Sequence, residues 1–140
     1  MINRRKTGKG EGQVNMQSAS DNHMELRKAM RDLCRQFTPE YHRTHDENAT
    51  YPAEFINALT DAGWLAAMIP EEFGGSSLGL TEASIIMEEI NRSGGNAGHC
   101  HGQMYNMSTL LRHGSDAQKA KYLPKIASGE LRLQLSLIHI

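Results

Sequence analysis

Trp64-Leu65-Ala66-Ala67-Met68-Ile69-Pro70-Glu71-Glu72-Phe73-Gly74-Gly75 is the stretch on which the fold turns. It is apolar enough to be buried, yet Pro70 and the glycine pair forbid a continuous helix. Segments of helical periodicity flank it, and no period-2 alternation occurs before residue 130. The reading is an all-α bundle of five to six short helices closing on a compact turn.

Upstream, Leu26, Met30, Leu33, Cys34, Phe37 and Tyr41 recur at the spacing of one helical face. Arg27, Lys28, Arg31, Asp32 and Arg35 fall mostly on the other face, and Thr38-Pro39 loosens the helix end. A second helix starts at Pro52, carries Glu54 in its positive first turn, buries Phe55, Ile56 and Leu59, and stops at Ala62-Gly63. Downstream, a third helix runs from about Thr81, its N-cap, through Asn91, with Ile86, Met87 and Ile90 inward. Gly94, Gly95 and Gly98 break the chain before a fourth helix, Met104 to His113, whose buried stripe is Met104, Met107, Leu110 and Leu111. The capping box Ser115-x-x-Gln118 opens a fifth helix to about Tyr122, and Pro124 to Ser128 adds one turn closed by Gly129.

The 140 residues amount to one domain, and 39% hydrophobic with 22% charged residues is a globular composition needing no disulfide or metal staple. The longest apolar runs fall far short of the roughly 20 residues a spanning helix requires. Fifteen basic against 16 acidic residues, a formal charge of −1, leave no electrostatic footprint for nucleic acid. Two cysteines without an apolar signal segment read as a reduced, cytoplasmic chain. Residues 1–23 mix Arg4, Arg5, Lys6 and Lys9 with Gly, Ser, Asn and Gln, and read as a flexible tail or a mis-assigned leader, with Met16 and Met24 as alternative starts.

Two separated motifs carry a family resemblance. Gly63-Trp64-Leu65 through Ile69-Pro70-Glu71-Glu72-Phe73-Gly74-Gly75 and Leu78-Gly79-Leu80 resembles the helix–loop–helix passage of acyl-CoA dehydrogenases. Gly114-Ser115-Asp116-Ala117-Gln118-Lys119-x-Lys121-Tyr122-Leu123-Pro124, followed by Gly129-Glu130, is similar to that family's downstream signature, in register. The resemblance covers residues 24–134, as an N-terminal α-helical domain.

It implies an oxidoreductase of fatty-acid metabolism, in its complete form a homo-oligomer that dehydrogenates an acyl-CoA thioester to the trans-2-enoyl form. The implied cofactor is FAD, held mainly by domains outside these residues, as is the glutamate that takes the α-proton. Electrons are implied to pass to an electron-transferring flavoprotein, with an oxidase-type sibling still open. Leu135-Ser136-Leu137-Ile138-His139-Ile140 departs from the family pattern and resembles an in-frame translation of a sequencing-library adaptor end, so 135–140 read as non-native. The second reading, from another class, is a stand-alone helical interaction module without catalytic activity.

Few residues invite chemistry. His99-Cys100-His101 are zinc-ligand types, but three adjacent residues do not converge on one tetrahedron. By register with the Gly114 signature, Asn96 to Met104 matches the segment whose helix start walls the acyl pocket. The resemblance thus implies Gly98, His101 and Met104 as substrate-binding residues, with His101 limiting chain length or meeting a polar acyl group. Glu88 and Glu89 diverge by about 100 degrees on a helix and read as a solvated face. His42, His45, Asp46 and Glu47 read as an exposed polar linker, Glu71 and Glu72 as structural or surface residues, and Cys34 as a small core hydrophobe. Gly74-Gly75 and Gly94-Gly95 lack the preceding strand of a dinucleotide fingerprint.

Overall fold

A computed structural model describes residues 16–132, with side chains from residue 21. The chain forms α1 (Met16–Cys34), α2 (Pro39–Glu47), α3 (Ala53–Asp61), α4 (Leu80–Arg92), α5 (Gly98–His113) and α6 (Asp116–Ala127), with no strand among the described residues. The all-α expectation holds. Residues 1–15 and 133–140 lie outside the described residues, and with them the proposed non-native tail; α1 begins at Met16, inside the stretch read as a tail.

The quoted turn is the hub. Single 3-10 turns, Trp64–Ala66 and Glu71–Phe73, flank Pro70, and Leu65, Ala66, Ala67 and Ile69 are buried against α3, α5 and α6. Gly63 turns the chain out of α3 at φ 78°, a region that costs a side-chain-bearing residue strain. Ser77 and Leu78 donate their backbone N–H groups to the carbonyls of Ile69 and Ala67, closing the loop on itself. Around it, Phe55, Ile56 and Leu59 of α3, Ile86 and Ile90 of α4, Met104 and Met107 of α5, and Leu123 and Ile126 of α6 form one core. Each such side chain contributes about 1.5–3 kcal/mol on burial.

Several boundaries differ from the sequence reading. The stretch read as a polar linker is α2: Thr38 Oγ1 accepts from Tyr41 N–H at 3.2 Å and Pro39 takes the first helical position, so Thr38-Pro39 both ends one helix and starts the next. Pro52 sits at the cap of α3 rather than inside it. In α4 the N-cap is Gly79, not Thr81; Glu82 Oε2 accepts from the Gly79 N–H at 2.9 Å, so the glutamate supplies the cap that glycine cannot. Helix α5 begins six residues before Met104, where Asn96 Oδ1 accepts from Gly98 N–H at 2.7 Å. Helix α6 runs unbroken through Pro124, because fully buried Leu123 and Ile126 offset the lost backbone bond. The Ser115/Gln118 capping box and the helix stop at Gly63 stand as read.

The longest side-by-side packing is α1 against α4. Here Glu89 corrects the expected solvated face: it is 1% exposed, and both guanidinium groups read as solvent-facing on α1 reach it. Glu88 remains exposed and takes only Arg27, at 2.7 Å.

Candidate functional site

Helix α5 carries the three residues expected to bind substrate. Its inner stripe is Cys100, Gln103, Met104 and Met107, all buried. Met104 is therefore a core residue at 4% exposure, its sulfur 3.9 Å from Cys100 Sγ. Gly98 and His101 are exposed one turn apart, and Tyr105, which the sequence reading passed over, follows at half exposure. The rings of His101 and Tyr105 meet edge to face with centroids 6.3 Å apart. Gly98 and His101 thus share an outward face, and Met104 braces it from behind. None of the three lines either cleft described below.

His99, Cys100 and His101 diverge on the helix. Cys100 is buried at 1% exposure, and that burial pushes its thiol up to about 12. His99 stands edge-on to Tyr51 with centroids 4.9 Å apart; burial, then the nearby Arg132, pushes its imidazole below the usual range. Among the described residues no group of three His, Cys, Asp or Glu side chains could hold a metal ion. Cys34 is also a buried free thiol, raised by burial, and neither cysteine has the environment of a nucleophile.

A cleft of about 780 Å³ opens between α2 and the α4–α5 turn, lined by His42, His45, Asp46, Asn96 and His99. His42 lies over Gly95 and edge-on to Phe55, at 4.9 Å between ring centroids, and its buried Nε2 has no hydrogen-bond partner. Burial, then the nearby His45, lowers its pKa, so the neutral ring is favoured. A helical i, i+3 pair, His42 and His45, is the signal that would have marked this surface in the sequence. A second cleft, about 490 Å³, lies between α5 and α6 and includes Asn106, Leu110, Tyr122 and Leu131.

The buried polar side chains are committed to the fold. Glu89 takes Arg27 and Arg31, and Gln103 Nε2 donates to the Leu131 carbonyl at 3.2 Å. Neither of these two clefts combines an apolar slot with buried side-chain donors turned into it, so neither by itself fits a flavin.

The family model described as "Acyl-CoA dehydrogenase, N-terminal domain" matches residues 20–130. Over 79 residues, 55% of this chain and 19% of the relative, the sequence is 44% identical to mitochondrial isovaleryl-CoA dehydrogenase of Pongo abelii. Over 120 residues it is 35% identical to (2S)-methylsuccinyl-CoA dehydrogenase of Cereibacter sphaeroides, covering 81% of this chain and 21% of that protein. Over another 120 residues it is 30% identical to 3-(aryl)acrylate reductase of Clostridium sporogenes, covering 84% and 32%. The chain spans about a fifth of the length of the first two of these relatives. With most of α1, helices α2 to α6 and the central turn in the matched span, the chain belongs to the acyl-CoA dehydrogenase family, in the region of its N-terminal domain.

Proposed function

We propose that this chain is the N-terminal part of a flavin-dependent acyl-CoA dehydrogenase, walling the acyl pocket while the catalytic base and most flavin contacts lie in parts of the protein beyond it. The observation that carries the reading is the family match across residues 20–130. The outward face of α5, with Gly98 and His101 over the buried Met104, is the proposed acyl wall. In such an enzyme FAD supplies the redox chemistry, and the protein binds and orients substrate. This domain contributes a rigid helix face. Its partners would be the acyl-CoA thioester, an electron-transferring flavoprotein and further copies of the same subunit. A reducing, cytoplasmic compartment fits two buried free thiols, and no helix among the described residues is long and apolar enough to cross a membrane.

The test uses the full-length gene product. Purified protein should show flavin absorbance, and His101→Ala should change the chain-length profile of kcat/KM. Absence of flavin, or an unchanged profile across acyl lengths, would count against the respective part of the reading.

A further inference from the structure

A wall built for a plain alkyl chain would present aliphatic side chains, because methylene groups bury best against apolar surface. The outward face of α5 presents something else. His101 and Tyr105 stand one turn apart, i and i+4, where side chains are neighbours. Tyr105 is 50% exposed, and the two rings support each other edge to face. Among the described residues neither the Tyr105 hydroxyl nor the His101 imidazole has a hydrogen-bond partner, although phenol and imidazole each donate and accept. The Thr109 hydroxyl donates to the Tyr105 backbone carbonyl at 3.0 Å and does not engage the phenol. Met104, by contrast, is packed in the core and offers the pocket no surface.

We propose that Tyr105, together with His101 and in place of Met104, sets acyl specificity, and that the acyl group taken carries an oxygen function, a carboxylate or hydroxyl, that these two polar tips bind. The proposal rests on the acyl-wall reading of α5. Two donors side by side on one rigid helix suit an oxygen acceptor, and their ring edges pack against the adjoining carbons. A site that hydrogen-bonds such an oxygen disfavours the analogue lacking it, because the polar tips are then desolvated and unpaired.

The experiment compares the flavin-loaded full-length enzyme on acyl thioesters of equal length, ending in methyl, hydroxyl or carboxylate. The expected kcat/KM favours an oxygen-bearing acyl group by about tenfold, and Tyr105→Phe removes most of that preference. Met104→Leu, a volume-conserving core change, leaves the preference intact. An active enzyme that prefers the methyl-terminated thioester, or a Tyr105→Phe variant with an unaltered preference, overturns the inference alone. An enzyme that oxidises none of the thioesters overturns the dehydrogenase reading and the inference with it.

Discussion

Arg31 and Glu89 form a two-point ion pair between α1 and α4: Nε donates to Oε2 at 2.8 Å and Nη2 to Oε1 at 2.9 Å. Arg27 donates to the same Oε1 at 2.8 Å. The carboxylate is out of water, whereas the guanidinium groups keep 42% and 30% of their side-chain exposure. The cost of burial therefore falls mainly on Glu89, and the planar, bidentate geometry of arginine offsets it.

The arginine pair is accordingly redundant until both members go. Arg27→Ala and Arg31→Ala singly should each cost about 1–2 kcal/mol, because one guanidinium still faces the buried carboxylate. The double variant strands that carboxylate and should cost about 3–5 kcal/mol, more than the sum of the milder singles. Native-state hydrogen exchange of α1 and α4 amides in the full-length protein reads this directly. Strict additivity of two small effects would contradict it.

Acid should loosen the same contact. Arg31, then Arg27, hold Glu89 at about 2, below the ordinary carboxylate value of 4.5. A lowered folded pKa means the stabilisation is complete above pH 4.5 and is lost as pH falls toward 2. His42 works higher on the scale: burial, then His45, keeps it below 6.5, so its protonation disfavours the fold as pH drops under 6.5. His42→Phe should flatten the pH dependence of unfolding just below 6.5 while leaving the acid limb of Glu89. Hydrogen exchange of α2 against pH separates the two, and an unchanged slope in His42→Phe would sink the assignment.

Two turn glycines are predicted to differ in tolerance, Gly75 in the hub turn and Gly94 between α4 and α5. A Cβ on Gly75 would stand 2.1 Å from the Ile69 carbonyl oxygen, a backbone atom that cannot step aside. Gly94 has open space around that position but a φ of +91°. Gly75→Ala should therefore cost about 2–3 kcal/mol, and Gly94→Ala about 1 kcal/mol from backbone strain. Thermal melts of the two full-length variants test the ranking, which reversal would refute.

Much of the fold is legible where apolar spacing and turn chemistry agree. Phe55, Ile56 and Leu59 announce α3, Gly63 ends it, and Ser115 with Gln118 opens α6. Helix α2 is hidden because His42, His45, Asp46 and Glu47 give it a polar surface with no wholly buried residue. The first turns of α5 are hidden by Gly98 and Gly102, poor helix formers that tertiary packing of Cys100 overrides. The Glu89 contact was not readable from one helix, since a charged face looks solvated until its partner helix is known. On α5, periodicity places Met104 and Met107 on the buried stripe, as found, whereas the half exposure of Tyr105 is visible only in the packed structure.

Exposed apolar groups bear on the isolated chain. Leu80 is 76% exposed, Met24 66% and Tyr105 50%. The isolated 140-residue chain should show no flavin absorbance and should associate or bind a hydrophobic dye. A monomeric, dye-silent, sharply melting species would contradict that.

The most direct measurement incubates the full-length gene product with an acyl-CoA panel and an electron acceptor, and follows thioester mass. Loss of two hydrogens with appearance of the trans-2-enoyl thioester is the predicted result. Unchanged thioester across the whole panel, from a folded and flavin-loaded protein, would contradict the dehydrogenase account.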